Sequence, residues 1–174
     1  MDSAHIVVMG VSGCGKSTVG EAVAERLGVP FADADDFHPE ANVALMAGGT
    51  PLTDEQRWPW LDALVAWMAQ QPAAPADPAG SPVRSVVACS ALRRAYRDVL
   101  RTAPDGVAFV HLDVDDAELR RRVASRSEHF MPVTLLESQL ATLEPLGDDE
   151  AGLTLSAGDD VPTLVSAVVT ALEG

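Results

Sequence analysis

The chain is almost without lysine. Of its twelve basic residues eleven are arginine, and Lys16 is the exception. Aromatic residues are also scarce, at 5%. Two cysteines, Cys14 and Cys89, are too few for a disulfide framework and suit a reducing cytosol. No run approaches the ~20 apolar residues that a membrane span needs, and Met1-Asp2-Ser3 lacks the basic start of a secretory signal. Nor is there an excess of positive charge. The net charge is −14, which argues against a nucleic-acid or anionic-membrane surface. What remains is the expectation of a cytoplasmic globular protein, residues 1–174 forming a single domain with its own core. The scarce positive charge is concentrated: ten of the twelve basic residues fall between Arg57 and Arg126. An acidic protein with a cationic middle suits a small anionic ligand held in a cleft.

The lone lysine sits in Gly10-Val11-Ser12-Gly13-Cys14-Gly15-Lys16-Ser17. An ammonium is a compact charge on a slim stem and can reach a phosphate beneath a loop, where a planar guanidinium is bulkier. The spacing is that of the P-loop, whose glycines let backbone N–H groups turn inward around phosphate oxygens. Ser17 is placed to offer its hydroxyl to Mg²⁺, and the helix that follows points its positive end at the anion. A glycine-rich turn before a helix would share the bare pattern, so the flanks decide. His5-Ile6-Val7-Val8-Met9 reads as a buried strand, and Val19, Ala22, Val23 and Leu27 repeat at helical spacing up to Gly28. Strand, loop and helix in that order predict a nucleoside triphosphate site.

Further along, Val29 to Asp33 reads as a second strand followed by an acidic turn, and Glu40 to Ala47 as a helix ended by Gly48-Gly49. Thr53 and Gln56 fit a capping box for a longer helix, which Pro59 is expected to split into one turn and a main body. Residues 72–84 are rich in proline and alanine and read as an extended surface loop. Strands are expected at 86–89, 107–112 and 153–155, with helices at 92–100, 117–126, 133–143 and 161–172. Short apolar strands alternating with helices predict an α/β fold, a five-stranded parallel sheet covered by helices on both faces. Ligands of such sheets bind beyond the carboxyl ends of the strands. That rim should hold the P-loop, the Asp33 to His38 turn, the Ser90 region and Asp113.

Three groups on this rim admit two readings each. Asp33-Ala34-Asp35-Asp36-Phe37-His38 is either a solvated acidic turn or the carboxylate that orients an acceptor hydroxyl and takes its proton. Arg93, Arg97 and Arg101 share a helical face, with Arg94 and Asp98 as an ion pair; this is a solvated basic face or a grip on a substrate carboxylate. Arg120-Arg121-Arg122, Arg126 and His129-Phe130 form a basic surface helix or a lid, about residues 122–135, that neutralises charge developing on a transferred phosphoryl group. Cys14 is a small filler of the loop, although its place near a helix N-terminus would lower a thiol pKa and make its modification inhibitory.

Taken in order, these segments resemble the gluconate kinases, small P-loop sugar-acid kinases of the adenylate-kinase-like type. The resemblance rests on Met9 to Ser17, Asp33 to Pro39, Asn42, Met46, Gly48 to Leu52, Asp54, Arg57 and Pro59-Trp60-Leu61. It continues through Cys89 to Arg94, Tyr96-Arg97-Asp98, Leu100-Arg101, Arg126, His129-Phe130, Ser138-Gln139, Leu143-Glu144 and Asp149-Glu150. It implies a three-layer P-loop fold with a mobile lid, and transfer of the ATP γ-phosphoryl group to the 6-hydroxyl of D-gluconate with Mg²⁺, in a homodimer. Gly10, Val11, Ser12, Gly13, Cys14, Gly15, Lys16, Ser17 and Thr18 would then bind ATP, with Lys16 bridging the β- and γ-phosphates and Ser17 holding the metal. Asp35 becomes the candidate base. His38, Arg57, Ser90, Arg94, Arg97, His129 and Gln139 become candidates for the sugar acid, and Arg122 and Arg126 would act from the lid. The chain departs from the family pattern at Ala34, Leu45, Gln56, Ser127-Glu128 and the proline-rich loop.

Other small-molecule P-loop kinases, acting on shikimate, nucleotides or adenylylsulfate, would use rim arginines equally well. A guanine-dependent switch is disfavoured because its Asn-Lys-x-Asp element needs a second lysine. A nucleotide-binding module without turnover is the remaining alternative.

Overall fold

The computed structural model describes residues 3–72, 82–125 and 133–173. The expected strands all form: β1 (His5–Met9), β2 (Phe31–Asp33), β3 (Ser85–Ala88), β4 (Val107–Asp113) and β5 (Gly152–Ser156). They build one sheet in the order β2-β3-β1-β4-β5, every neighbouring pair parallel. The helices are α1 (Lys16–Leu27), α2 (Glu40–Ala47), α3 (Asp54–Ala69), α4 (Arg94–Leu100), α5 (Asp116–Ser125), α6 (Val133–Thr142) and α7 (Val161–Glu173).

Alternation along β1 shows how one strand serves two cores. Ile6 and Val8 join a cluster with Val19 and Val23 of α1, Leu136 of α6 and Leu164 and Val168 of α7. Val7 and Met9, pointing the other way, join Leu61, Leu64 and Met68 of α3 and Leu100 of α4. A central parallel strand is therefore apolar on both faces, which is why it reads as a continuous run rather than an alternation. All parallel strands end on the same side, so Gly10, Asp33, Ser90 and Asp113 share the carboxyl rim.

Two local expectations change. The acidic turn is a short 3-10 helix, Ala34–Phe37, capped by the Asp33 side chain. Pro59 does not split its region: α3 is continuous from Asp54 to Ala69 with the proline inside it. A proline forfeits one intrahelical hydrogen bond and crowds the carbonyl four residues back. Here the surrounding helix is held at its start by the Gln56 amide, which accepts the Thr53 N–H at 2.8 Å, and along its length by buried Trp60, Leu61, Leu64 and Met68. Gln56 thus serves as a cap for α3. Among the described residues no helix is long and apolar enough to cross a membrane. Most of the proline-rich loop, residues 73–81, lies outside the described residues, as does the 126–132 part of the expected lid.

Candidate active site

The loop between β1 and α1 takes the shape its glycines allow. Gly10 has φ 140° and packs so closely that a Cβ there would lie 2.9 Å from both the Cys14 sulfur and the Leu112 carbonyl oxygen. Gly15, with φ 104°, caps α1. Both conformations favour glycine. The Gly10 N–H donates to the Ser90 carbonyl at 3.3 Å, which fastens the loop to the end of β3. Lys16 Nζ donates to the Val11 carbonyl at 3.1 Å, which leaves further ammonium protons for phosphate oxygens.

Asp33, at the end of β2, joins the phosphate loop to the acceptor side of the rim. One carboxylate oxygen accepts the Ser17 hydroxyl at 2.5 Å, and the other accepts the Asp35 N–H at 3.0 Å. The first bond puts a hydroxyl and a carboxylate side by side, the hard oxygen donors that Mg²⁺ takes. Among the described residues no cluster of three His, Cys, Asp or Glu side chains could hold a metal by itself. This pair therefore fits a Mg²⁺ that completes its shell with phosphate and water, as is usual for that ion. The second bond orders the turn that carries Asp35, which is exposed on the rim. The sequence places Asp33 on the rim at the end of its strand, and the fold adds the contact with Ser17 across 16 residues.

His38 lies flat on Trp60, ring centroids 4.3 Å apart and planes 13° from parallel, while Trp60 Nε1 donates to the Ala34 carbonyl at 2.7 Å. Burial, helped by the nearby Arg57 charge, lowers the His38 pKa to about 4, so the imidazole is neutral near pH 7.

The arginines separate into three kinds. Arg57 and Arg93 converge on one carboxylate, Asp54. Arg93 Nη1 lies 3.0 Å and Arg57 Nη1 3.5 Å from it, and both guanidiniums stand near the Tyr96 ring, at 5.8 and 5.3 Å. Tyr96 donates its hydroxyl to Asp54 at 2.6 Å and accepts from Arg57 at 3.1 Å. The Tyr96 hydrogen bond, reinforced by the two arginines, holds the Asp54 pKa below the ordinary carboxylate value. One carboxylate balances one of two guanidinium charges, so the group is left net positive. Arg93 is not on a helical face with Arg97 and Arg101, because it is the extended residue preceding α4. Asp54 and Tyr96 were not assigned roles from sequence; 42 residues separate them.

Arg97 is a correction. It is fully buried, and its donors reach Glu150 at 2.7 and 2.8 Å and the carbonyls of Ala91, Leu92, Glu144 and Pro145. No N–H is left for a substrate. Arg94 does not pair with Asp98 either. It forms a two-point bridge to Asp149, at 2.8 and 2.5 Å, and lowers that carboxyl to about 2, while Asp98 pairs with Arg101. Together these bridges clamp α4 to the segment ahead of β5.

Arg122, in the last turn of α5, stands beside the loop. It donates to the Ala157 carbonyl at 2.7 Å, lies 3.5 Å from the Cys14 carbonyl and bonds Glu118 at 2.7 Å. Gln139 also falls on the loop side, where its side-chain oxygen accepts the Ser12 N–H at 2.6 Å. Arg126 and His129 lie outside the described residues. Cys14 is a second correction: it is 2% exposed, and burial pushes its thiol pKa up, outweighing the Lys16 charge.

A parallel sheet with a phosphate loop, a metal-competent carboxylate and a cationic pocket on one rim defines a P-loop kinase of small molecules. A family model described as an AAA domain matches residues 6–138. The chain is 46% identical to a gluconokinase of Gluconobacter oxydans over 160 residues, covering 92% of this chain and 85% of that one. The solved gluconokinase of Sinorhizobium meliloti superposes with a TM-score of 0.83 at 42% identity, covering 98% and 92% of the two chains. A sugar kinase of Janibacter gives 0.86 at 47%, covering 98% and 95%. The chain belongs to the gluconokinase family. An APS kinase of Mycobacterium tuberculosis and a shikimate kinase of Aquifex aeolicus share only the fold, with TM-scores of 0.66 and 0.61 at 18% and 15% identity.

Proposed function

We propose that the protein transfers the γ-phosphoryl group of ATP to the 6-hydroxyl of D-gluconate, giving 6-phosphogluconate. The observation that carries the reading is the pair of bonds made by Asp33, which links the phosphate loop to the turn bearing Asp35. In this reading Gly10 to Thr18 cradle the triphosphate and Lys16 meets the β- and γ-phosphate oxygens. Ser17 and Asp33 would hold Mg²⁺, which would supply positive charge to offset that of the phosphates. Asp35 orients the 6-hydroxyl and receives its proton. Arg57 and Arg93 grip the carboxylate at the far end of the sugar acid, with two-point geometry that a lysine could not supply. Neutral His38, with Ser90, reads the polyol hydroxyls. Arg122 stabilises the loop side of the transferred group, joined by Arg126, and His129 contributes to the sugar-acid side.

We further propose that the protein is cytoplasmic, since its two cysteines are free and suit a reducing compartment, and that it is a homodimer, as the family resemblance implies. A coupled ADP-release assay across sugar acids, shikimate, adenylylsulfate and nucleoside monophosphates tests the assignment. D-Gluconate should give saturable, ATP-dependent turnover. Turnover with one of the other acceptors alone, or nucleotide binding without any turnover, would refute it.

A further inference from the structure

The peptide unit joining Val11 to Ser12 is held from both sides. Its carbonyl oxygen accepts from Lys16 Nζ at 3.1 Å and from the Cys14 N–H at 3.3 Å. Its N–H donates to Gln139 Oε1 at 2.6 Å, across 127 residues of sequence. The result is an unbroken chain of polar contacts from the Lys16 ammonium through one peptide group to one glutamine side chain. Hydrogen bonds in series polarise one another, so an acceptor on the N–H makes the opposite carbonyl a better partner for a cation. An acceptor fixed in space also prevents the peptide from rotating, a real freedom in a loop whose glycines at 10, 13 and 15 all adopt positive φ.

Gln139 is suited to this task because of where it stands. It lies on α6, whose Leu136 is 1% exposed and whose Leu140 packs on the core shared with α1 and β1. A polar group on a packed helix holds position better than one on a loop. The nearest backbone in the loop thus takes its register from a rigid element that is distant in sequence.

We infer that Gln139 is a positioning residue for the phosphate loop, acting through the Val11–Ser12 peptide to set where Lys16 presents its ammonium to the nucleotide. This rests on the kinase reading of the loop and deepens it. It also moves Gln139 from the sugar-acid side of the site to the ATP side.

The test is Gln139→Met, which keeps length and removes the acceptor. The side chain is only half-buried, and the variant is assayed below its own melting temperature. The dissociation constant for a non-hydrolysable ATP analogue and the KM for ATP should rise about tenfold, the scale of one strong hydrogen bond. The KM for gluconate should stay within about twofold, a split that general loosening of the fold would not produce. A rise in the gluconate KM alone would return Gln139 to the acceptor side and overturn the inference. Equal changes for both substrates, or no change in nucleotide affinity while the wild type binds the analogue, would also overturn it. A wild type that does not bind the analogue would overturn the phosphate-loop reading along with it.

Discussion

Ser17 and Asp33 meet at 2.5 Å, hydroxyl to carboxylate, where the start of α1 faces the end of β2. Ser17 opens the helix behind the phosphate loop and Asp33 closes the strand, so the contact depends on sheet order as well as on local sequence. Replacing Asp33 with Asn preserves the size of the side chain and its ability to accept from Ser17, but removes the charge that favours a divalent cation. The expected result is a loss of about 10²-fold or more in kcat, with a higher Mg²⁺ concentration needed for half-maximal rate. An unchanged Mg²⁺ dependence in Asp33→Asn would remove Asp33 from the metal site.

Lys16 and Asp35 should separate phosphate chemistry from acceptor chemistry. Lys16→Met is expected to cost several kcal/mol of transition-state stabilisation while leaving thermal unfolding near wild type. Asp35→Asn should slow gluconate phosphorylation by roughly 10²-fold or more, with nucleotide affinity little changed. Single-turnover rates and nucleotide titrations on the two variants measure both quantities, and near-normal transfer in either one refutes its assigned role.

Four arginines that look alike in sequence should behave in three ways. Arg97→Leu leaves Glu150, 7% exposed, without its partner, and removing one member of a buried pair costs about 3–5 kcal/mol. Denaturant unfolding should show that loss. Arg94→Ala breaks an exposed bridge to Asp149 and should leave the unfolding midpoint close to that of the wild type. Arg57→Leu and Arg93→Leu should instead raise the gluconate KM by roughly tenfold to a hundredfold, with ATP affinity retained, as loss of a charge-assisted contact implies. If Arg94→Ala raises that KM and Arg93→Leu does not, the pocket has been assigned to the wrong side of α4.

How far the residues announce this arrangement depends on the range of each interaction. β1, the loop and α1 are adjacent in the chain, and their glycine spacing and apolar period suffice to place them. The Thr53–Gln56 capping box is equally local. The fates of Arg93, Arg94 and Arg97 are not local, because their partners Asp54, Asp149 and Glu150 lie 39 to 55 residues away. Helical spacing puts arginines on a face but cannot say what the fold brings to that face. Asp33 is legible as a rim carboxylate at the end of its strand, but its bond to Ser17 is not, because that contact forms only when β2 and α1 pack together across 16 residues. Pro59 misled because a local rule was outweighed by the burial of four large side chains around it.

Cys14 should be inert despite its place in the loop. Its sulfur is packed beneath Gly10, and burial keeps it in the thiol form, which is a poor nucleophile. Cys89, with its pKa pushed up to about 12, is no more reactive. Native protein treated with iodoacetamide near pH 7.5 should therefore retain activity, and both thiols should label only in denaturant. Rapid inactivation with mass added at Cys14 would contradict the packing.

Stability should fall on mild acidification, through histidine. His38 drops from its ordinary 6.5 to about 4, and His5 and His111 are also lowered, burial being the main cause in each. In the pH range between the two His38 values the unfolded chain binds more protons than the folded one, so unfolding becomes easier as pH falls. The His38 contribution is complete above about pH 6.5 and is lost progressively toward pH 4. The carboxylates held low by tyrosine or arginine, Asp54, Asp149 and Glu150, add a loss of the same sign that begins as pH falls through their unfolded values of 3.8 to 4.5, so it overlaps only the acid end of this window. Unfolding free energies at pH 7, 6 and 5 should therefore decline in the wild type, and decline less steeply in His38→Gln. Equal slopes in the two proteins would show that His38 takes up its proton in the folded state as readily as in the unfolded one.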